Sequence, residues 1–257
     1  MPTRRFTLIE ADQLLTDLQF YGMKQSFQYR LGEVTQANLS HQQFFTFLLE
    51  DEKLYRRNKK TETLRKRAKF REIAHLEEFK IVATRGITKS LVQQFKTLFF
   101  IEGFQNLFFI GGTGAGKSFL AQAIGNECCA SGYETLFIPV NRLFKEIDMA
   151  EAQGNYLSYL TRLSKVRLLI LDDFGLRNYT HKEATIFYEI LEDRYRKGSV
   201  IITSQVKPQG WETLFEDKVI AEAILDRLMA SSQTIDVKGE SFRSGQGTKK
   251  KLEIEEN

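Results

Sequence analysis

Cysteine, histidine and proline are all scarce in this chain. Of its 257 residues two are cysteine, three histidine and three proline. Cys128 and Cys129 are neighbours in sequence, which rarely bridge, and no C-x-x-C pair or His-rich tract accompanies them. That excludes a disulfide framework, and the two thiols read as a reduced, buried pair of a cytosolic protein. His41, His75 and His181 are too scattered to suggest a metal cluster. No uncharged run reaches the ~18 residues that a membrane helix requires, and "MPTRRFTLIEADQ" holds no apolar signal core. The expectation is a cytoplasmic protein with no membrane partner. Internal repeats and Pro-rich or Gly/Ser-rich linkers are missing too, so domain boundaries must be read from changes of pattern.

With 42% hydrophobic and 27% charged residues, the chain can bury a sizeable core. A net charge of +4 is too small to point to a partner. Leu14, Leu18 and Tyr21 predict a helix over 10–31. A second begins at Ser40, where Gln43 completes a capping box, and carries Phe44, Leu48 and Tyr55 on one face. It runs on, or breaks briefly, into "NKKTETLRKRAKF". These form an expected helical domain over 1–70. Beyond it strands at 105–110, 134–139, 167–171, 199–203 and 234–237 alternate with helices at 117–130, 141–163, 181–196 and 219–230. Thr180 and Glu183 form another capping box. The alternation predicts an α/β fold with a mostly parallel sheet covered by helices over 71–243, followed by a frayed tail at 244–257.

The most informative stretch is "FFIGGTGAGKSFL". Gly111, Gly116, Lys117 and Ser118 match G-x-x-x-x-G-K-[ST] between an apolar strand and an apolar helix. Glycines bring backbone N–H groups against phosphate oxygens without Cβ clashes, and a helix N-terminus adds positive potential. The loop Gly111, Gly112, Thr113, Gly114, Ala115 and Gly116, with Lys117, Ser118 and Phe119, is thus a candidate ATP-phosphate cradle. Lys117 would reach the β- and γ-phosphates and Ser118 would ligate Mg²⁺. "LLILDD" sets Asp172 and Asp173 at the end of a buried strand, the edge where open α/β sheets bind ligands. Asp172 suits the Mg²⁺ shell, and Asp173 suits orienting or deprotonating water. The gap from Lys117 to Asp172 leaves room for another strand between the two motif strands. From such a strand, "VIITSQ" offers Gln205 to a γ-phosphate.

With "LLILDDFG", "ITSQVKPQGWETLF", "ILDRL" and "IDVKGESFR" in this order, residues 10–243 resemble the IstB/DnaC-like branch of the AAA+ ATPases. The likeness is strongest to the IstB side, the ATPase helpers of insertion-sequence transposition. It implies a P-loop AAA+ fold without a C-terminal lid domain and makes Gln205 the sensor residue. Arg227 would be an arginine finger reaching the γ-phosphate held by a neighbouring copy, and Arg243 a nucleotide sensor. ATP would then sit at interfaces of a homo-oligomer. Many relatives carry Asp-Glu where this chain has Asp-Asp, a carboxylate shorter by about one C–C bond, ~1.5 Å, which implies slow hydrolysis.

Residues 53–71 carry Lys53, Arg56, Arg57, Lys59, Lys60, Arg65, Lys66, Arg67, Lys69 and Arg71 against a single acid, Glu62. Composition leaves two readings open, a solvated helix face or a sequence-blind phosphate-binding surface. The resemblance favours duplex DNA, and adds Lys145, Arg162 and Lys165 as core contacts. It implies a factor that oligomerises on duplex DNA and assists a cognate transposase in target selection. The alternative is a helicase loader acting on single-stranded DNA. A P-loop kinase of a small metabolite or a non-hydrolysing scaffold fits less well.

Overall fold

The apolar spacing over 10–31 predicts one helix, and the chain makes two. The computed structural model describes residues 7–37, 39–79 and 86–239, with α1 at Leu8–Asp17 and α2 at Tyr21–Ala37. Between them Gln19 turns left-handed (φ 58°), and the Phe20 N–H folds back to the Leu15 carbonyl at 2.8 Å. The break has a buried acceptor to stabilise it. Glu52, on α3 (His41–Ala68), takes the N–H groups of Gly22 and Met23 at 2.7 and 3.1 Å, satisfying two buried amides of α2's first turn. Leu14 and Leu18 remain exposed, so packing gives a continuous helix no advantage here. Helix α3 starts at the Ser40–Gln43 capping box and continues unbroken through the basic stretch.

The chain forms two compact units, Met1–Thr63 and Leu64–Asn257, divided within α3. In the first, α2 and α3 approach so closely at Gly22 that a Cβ there would lie 2.6 Å from the Tyr55 Cβ. Tyr21 meets Tyr55 and Phe27 meets Phe44, so these aromatics serve packing.

The second unit has a 3₁₀ turn at Leu76–Glu78, then α4 (Lys89–Thr97), α5 (Phe99–Glu102), β1 (Asn106–Ile110), α6 (Lys117–Ala130) and β2 (Thr135–Pro139). There follow α7 (Val140–Ala152), α8 (Tyr156–Lys165), β3 (Leu168–Phe174), α9 (His181–Arg194), β4 (Ser199–Ser204), α10 (Lys218–Met229) and β5 (Ser232–Asp236). All five strands pair in parallel, in the order β2-β3-β4-β1-β5. The α/β expectation holds, and β4 does lie between the two motif strands. Period-two alternation divides the strands' side chains between two cores. Leu107, Phe109, Ile170 and Ile201 face α6 with the 3₁₀ turn and α4. Phe108, Ile110, Leu169, Leu171 and Ile202 face α7 to α10. Cys128 and Cys129 are buried free thiols, and burial raises the pKa of both. No described helix is long and apolar enough to cross a membrane.

Arg194 ties the base of this unit together. Fully buried, it donates to the carbonyls of Leu163, Val166 and Ser199 at 2.6–2.8 Å, and Gly198 makes room for its guanidinium. Arg194→Ala leaves three buried carbonyls without a donor. We expect urea denaturation to show a loss of about 3 kcal/mol with the secondary structure retained.

Candidate functional site

Strand β1 ends in a passage too narrow for a side chain. The Gly111 N–H donates to Ser204 O at 3.2 Å, while Val237 N–H donates to Ile110 O at 2.7 Å. A Cβ on Gly111 would lie 2.1 Å from the Val237 carbonyl oxygen, so only glycine passes there. Gly114 and Gly116 then take left-handed φ of 80° and 96°, turning the loop into α6. Gly116 caps that helix without a side-chain acceptor, so the loop supplies no side chain to cover its first-turn amides. Ala115 is buried, Gly112 and Thr113 are exposed, and the Phe119 ring packs near Phe79 at 6.4 Å. Phe119 therefore serves the core with its side chain and the loop only through its backbone.

Lys117 bends back over this loop. Its Nζ donates to the Gly111 and Gly112 carbonyls at 2.9 and 2.8 Å. The ammonium is buried, and that burial lowers its pKa against the opposing pull of Asp173 and Asp172. Two strands away in the sheet order, the β3–β4 ladder shifts register between Leu171 and Phe174. The shift contains the two acids. Asp173 sits at φ 59°, an uncommon backbone for a non-glycine residue, and the bulge makes it half-exposed while Asp172 is fully buried.

Thr203 closes the bulge from β4. Its hydroxyl donates to Asp172 Oδ1 at 2.6 Å and accepts the Asp173 N–H at 3.0 Å. Asp172 Oδ2 is buried with no hydrogen-bond donor. Arg71 Nη1 stands 3.4 Å from it, and Arg71 Nη2 is 3.8 Å from Asp173. The Arg71 N–H is held at 2.7 Å by Gln122 Oε1, and Gln122 Nε2 donates to Ser118 O at 3.2 Å. A carboxylate oxygen lacking a donor and a serine hydroxyl at a helix start would supply oxygen donors only. That fits Mg²⁺, which keeps several waters and needs few protein ligands. Among the described residues no cluster of three His, Cys, Asp or Glu could hold a metal by itself.

Thr203 and Gln122 escaped the sequence reading, which placed Arg71 only in the basic run. A hydroxyl in the otherwise apolar "VIIT" was the available signal for Thr203. Gln205 lies exposed just past β4, one residue beyond the Ser204 carbonyl that holds Gly111. Arg227 is not brought to this loop. It pairs with Glu192 beside the Tyr195 ring, and its neighbour Leu228 accepts a bond from Asn106, the first residue of β1. It thus borders a cavity of about 360 Å³ at the opposite edge of the sheet. Arg243 and the tail at 244–257 lie outside the described residues.

The basic residues serve several purposes. Arg57, Lys59, Lys60, Lys66 and Arg67 are exposed on α3, as are Lys145, Arg162 and Lys165 on α7 and α8. Arg56 pairs with Glu52, Arg65 with Asn126, and Lys69 with Glu146, so part of the run is held by the protein itself.

The family described as IstB-like ATP binding protein matches residues 13–251. The chain is 32% identical over 234 residues to a Pseudomonas aeruginosa protein named as an ATP-binding protein of insertion sequence IS21, covering 91% of this chain and 88% of that one. It is 34% identical over 235 residues to an insertion-sequence ATP-binding protein of Sinorhizobium fredii, covering 91% and 96%. Among solved structures, DnaI superposes with a TM-score of 0.55 at 22% identity, over 64% of this chain and 91% of that one. AMPPCP-bound DnaA from Aquifex aeolicus gives 0.55 at 19%, over 72% and 56%. These likenesses carry the fold.

Thr203→Val keeps shape but orphans Asp172 Oδ1 and the Asp173 N–H. Chemical denaturation should show a loss of about 2 kcal/mol; an unchanged midpoint would remove Thr203 as the bulge's clasp.

Proposed function

The chain belongs to the family of IstB-like ATP-binding proteins, and from that premise we propose that it is a Mg²⁺-dependent ATPase that assembles on duplex DNA and assists a cognate transposase. One observation carries the reading. The glycine loop, its lysine and an acid with an unsatisfied buried oxygen converge on the C-terminal edge of one parallel sheet. In this reading the amides of Gly112 to Ser118 cradle the phosphates of ATP. Lys117 exchanges its two carbonyl partners for phosphate oxygens, which hold an ammonium better because they are charged. The Ser118 hydroxyl and Asp172 Oδ2 would hold Mg²⁺, whose positive charge would offset the negative charge developing on the phosphates. Asp173, aimed outward by the bulge, orients the attacking water, and Gln205 reports on the γ-phosphate. Arg227 completes the site of a neighbouring copy, and Arg243 senses the nucleotide.

The exposed cations of α3 offer contacts for phosphate backbones, and those of α7 and α8 offer others. The family's insertion-sequence names support the transposition setting over a helicase-loading one. The N-terminal helices over 1–70 take the role of assembly or DNA contact, and 71–243 the ATPase role.

Binding of a fluorescent ATP analogue tests the site. Lys117→Ala should weaken it roughly tenfold or more, since a charge-assisted bond is lost. Arg227→Ala should leave binding to single chains intact while lowering DNA-stimulated turnover by roughly 10³-fold. Normal ATP binding by Lys117→Ala would refute the phosphate cradle; a full-speed Arg227→Ala enzyme would remove the finger.

DNA binding has its own measure. The double variant Lys59→Ala, Lys60→Ala should bind duplexes of different sequence more weakly by similar factors. Its salt dependence should become shallower, by about 0.9 in log–log slope for each phosphate no longer neutralised. Equal slopes would move the DNA surface off α3, and tighter binding to single strands than to duplexes would favour a helicase loader.

A further inference from the structure

Arg71 belongs to a basic stretch, yet it points inward to the two acids rather than outward with Arg67 or Lys66. We propose that Arg71 is an internal counter-cation of the phosphate site, competing with Mg²⁺ for Asp172 Oδ2 and displaced when the metal–nucleotide complex binds. The inference rests on the nucleotide reading given above and adds a residue to it.

Asp172 Oδ2 is the one buried side-chain oxygen among the described residues without a hydrogen-bond partner. The cation that faces it is the Arg71 guanidinium at 3.4 Å, whose other nitrogen is 3.8 Å from Asp173. A guanidinium at that range offsets the buried charge without completing a hydrogen bond. Direct coordination by Mg²⁺ requires about 2.1 Å to the same oxygen. The two cations would then crowd one buried carboxylate, and like charges so close repel.

The construction around Arg71 suits a residue that swings aside while staying near. Its backbone is pinned by Gln122, whose amide also binds the Ser118 carbonyl in the first turn of α6. Its side chain is half-exposed, and its guanidinium lies 5.5 Å from the centre of the Phe137 ring in the middle of β2. The ring supports the guanidinium where it now faces the acids, and the half-exposed side chain has solvent to move into when displaced. Only side-chain rotation is needed, since the tether to α6 is through the main chain.

The test is a Mg²⁺ titration of a fluorescent N-methylanthraniloyl-ATP bound to the full chain, repeated with EDTA. Arg71→Ala should reach half-saturation at a Mg²⁺ concentration roughly three- to fivefold lower than the parent, the size expected for a half-exposed ion pair. Its affinity for the analogue in EDTA should equal the parent's. An unchanged or higher Mg²⁺ requirement overturns the proposal, and so does a lost affinity in EDTA, which would make Arg71 a phosphate ligand instead. Should Arg71→Ala be too unstable to titrate, Arg71→Gln keeps the aliphatic stem, drops the charge and decides by the same criteria. A parent that binds no analogue at any Mg²⁺ concentration overturns the nucleotide reading itself, and this inference with it.

Discussion

The site depends on how closely β1 passes its neighbours as it leaves the sheet. Gly111 bonds to the end of β4 on one side, and the residue before it bonds to the end of β5 on the other. That clasp fixes where the loop begins, so α6 and the lysine that opens it are aimed from a rigid edge. It also explains the first glycine of the motif. Gly114 and Gly116 are needed for backbone angles, whereas Gly111 is needed because the Val237 carbonyl occupies the space a Cβ would fill. The same strand order puts Thr203 between loop and acids, so a single strand, β4, touches both halves: Ser204 holds the loop and Thr203 holds the bulge. A shift of β4 by one residue would turn Thr203 to the other face and loosen both.

The parts of this arrangement that a sequence displays are those built from contiguous residues. The loop from Gly111 to Ser118 is legible because its strand, turn and helix follow one another without interruption. Asp172 and Asp173 are legible because a continuous apolar run ends on them. The length between the motifs leaves the two motif strands free not to be neighbours, and β4 takes the place between them. What stays hidden is long-range. Thr203 meets Asp172 across 31 residues and Gln122 meets Arg71 across 51, and nothing local announces either pairing. Arg71 shows the difficulty most sharply, since a run of cations describes charge density and not side-chain direction. The helix predicted across residue 19 failed for a related reason: its periodicity was genuine, but a carboxylate 30 residues away rewards a new helix start at Tyr21.

The bulge at the acids links strain to placement. In a regular strand Asp172 and Asp173 would point to opposite faces of the sheet. The left-handed turn at Asp173 breaks that alternation, costing of order 1 kcal/mol or more for a non-glycine residue. The Thr203 hydroxyl offsets part of that cost by satisfying the N–H the bulge leaves unpaired. One carboxylate is thereby buried beside the loop, while the other remains half in solvent, where a water can reach it. That division is set by backbone shape.

The geometry also bears on whether one chain can make a complete site. Leu228 bonds to Asn106 at the start of β1, and the glycine loop follows Ile110 at its end. Five residues of strand separate the two ends, roughly 16 Å at ~3.3 Å per residue. An arginine side chain extends only about 7 Å from its Cα. Arg227 therefore cannot touch a phosphate bound by its own loop without moving α10 along the sheet. Helix α10 is fixed against such a shift by Ala221, Ile224 and Leu228 in the core that also contains Trp211 and Phe187. If the guanidinium acts on a nucleotide at all, it acts on one held by another copy. Assembly would then be a condition of the chemistry.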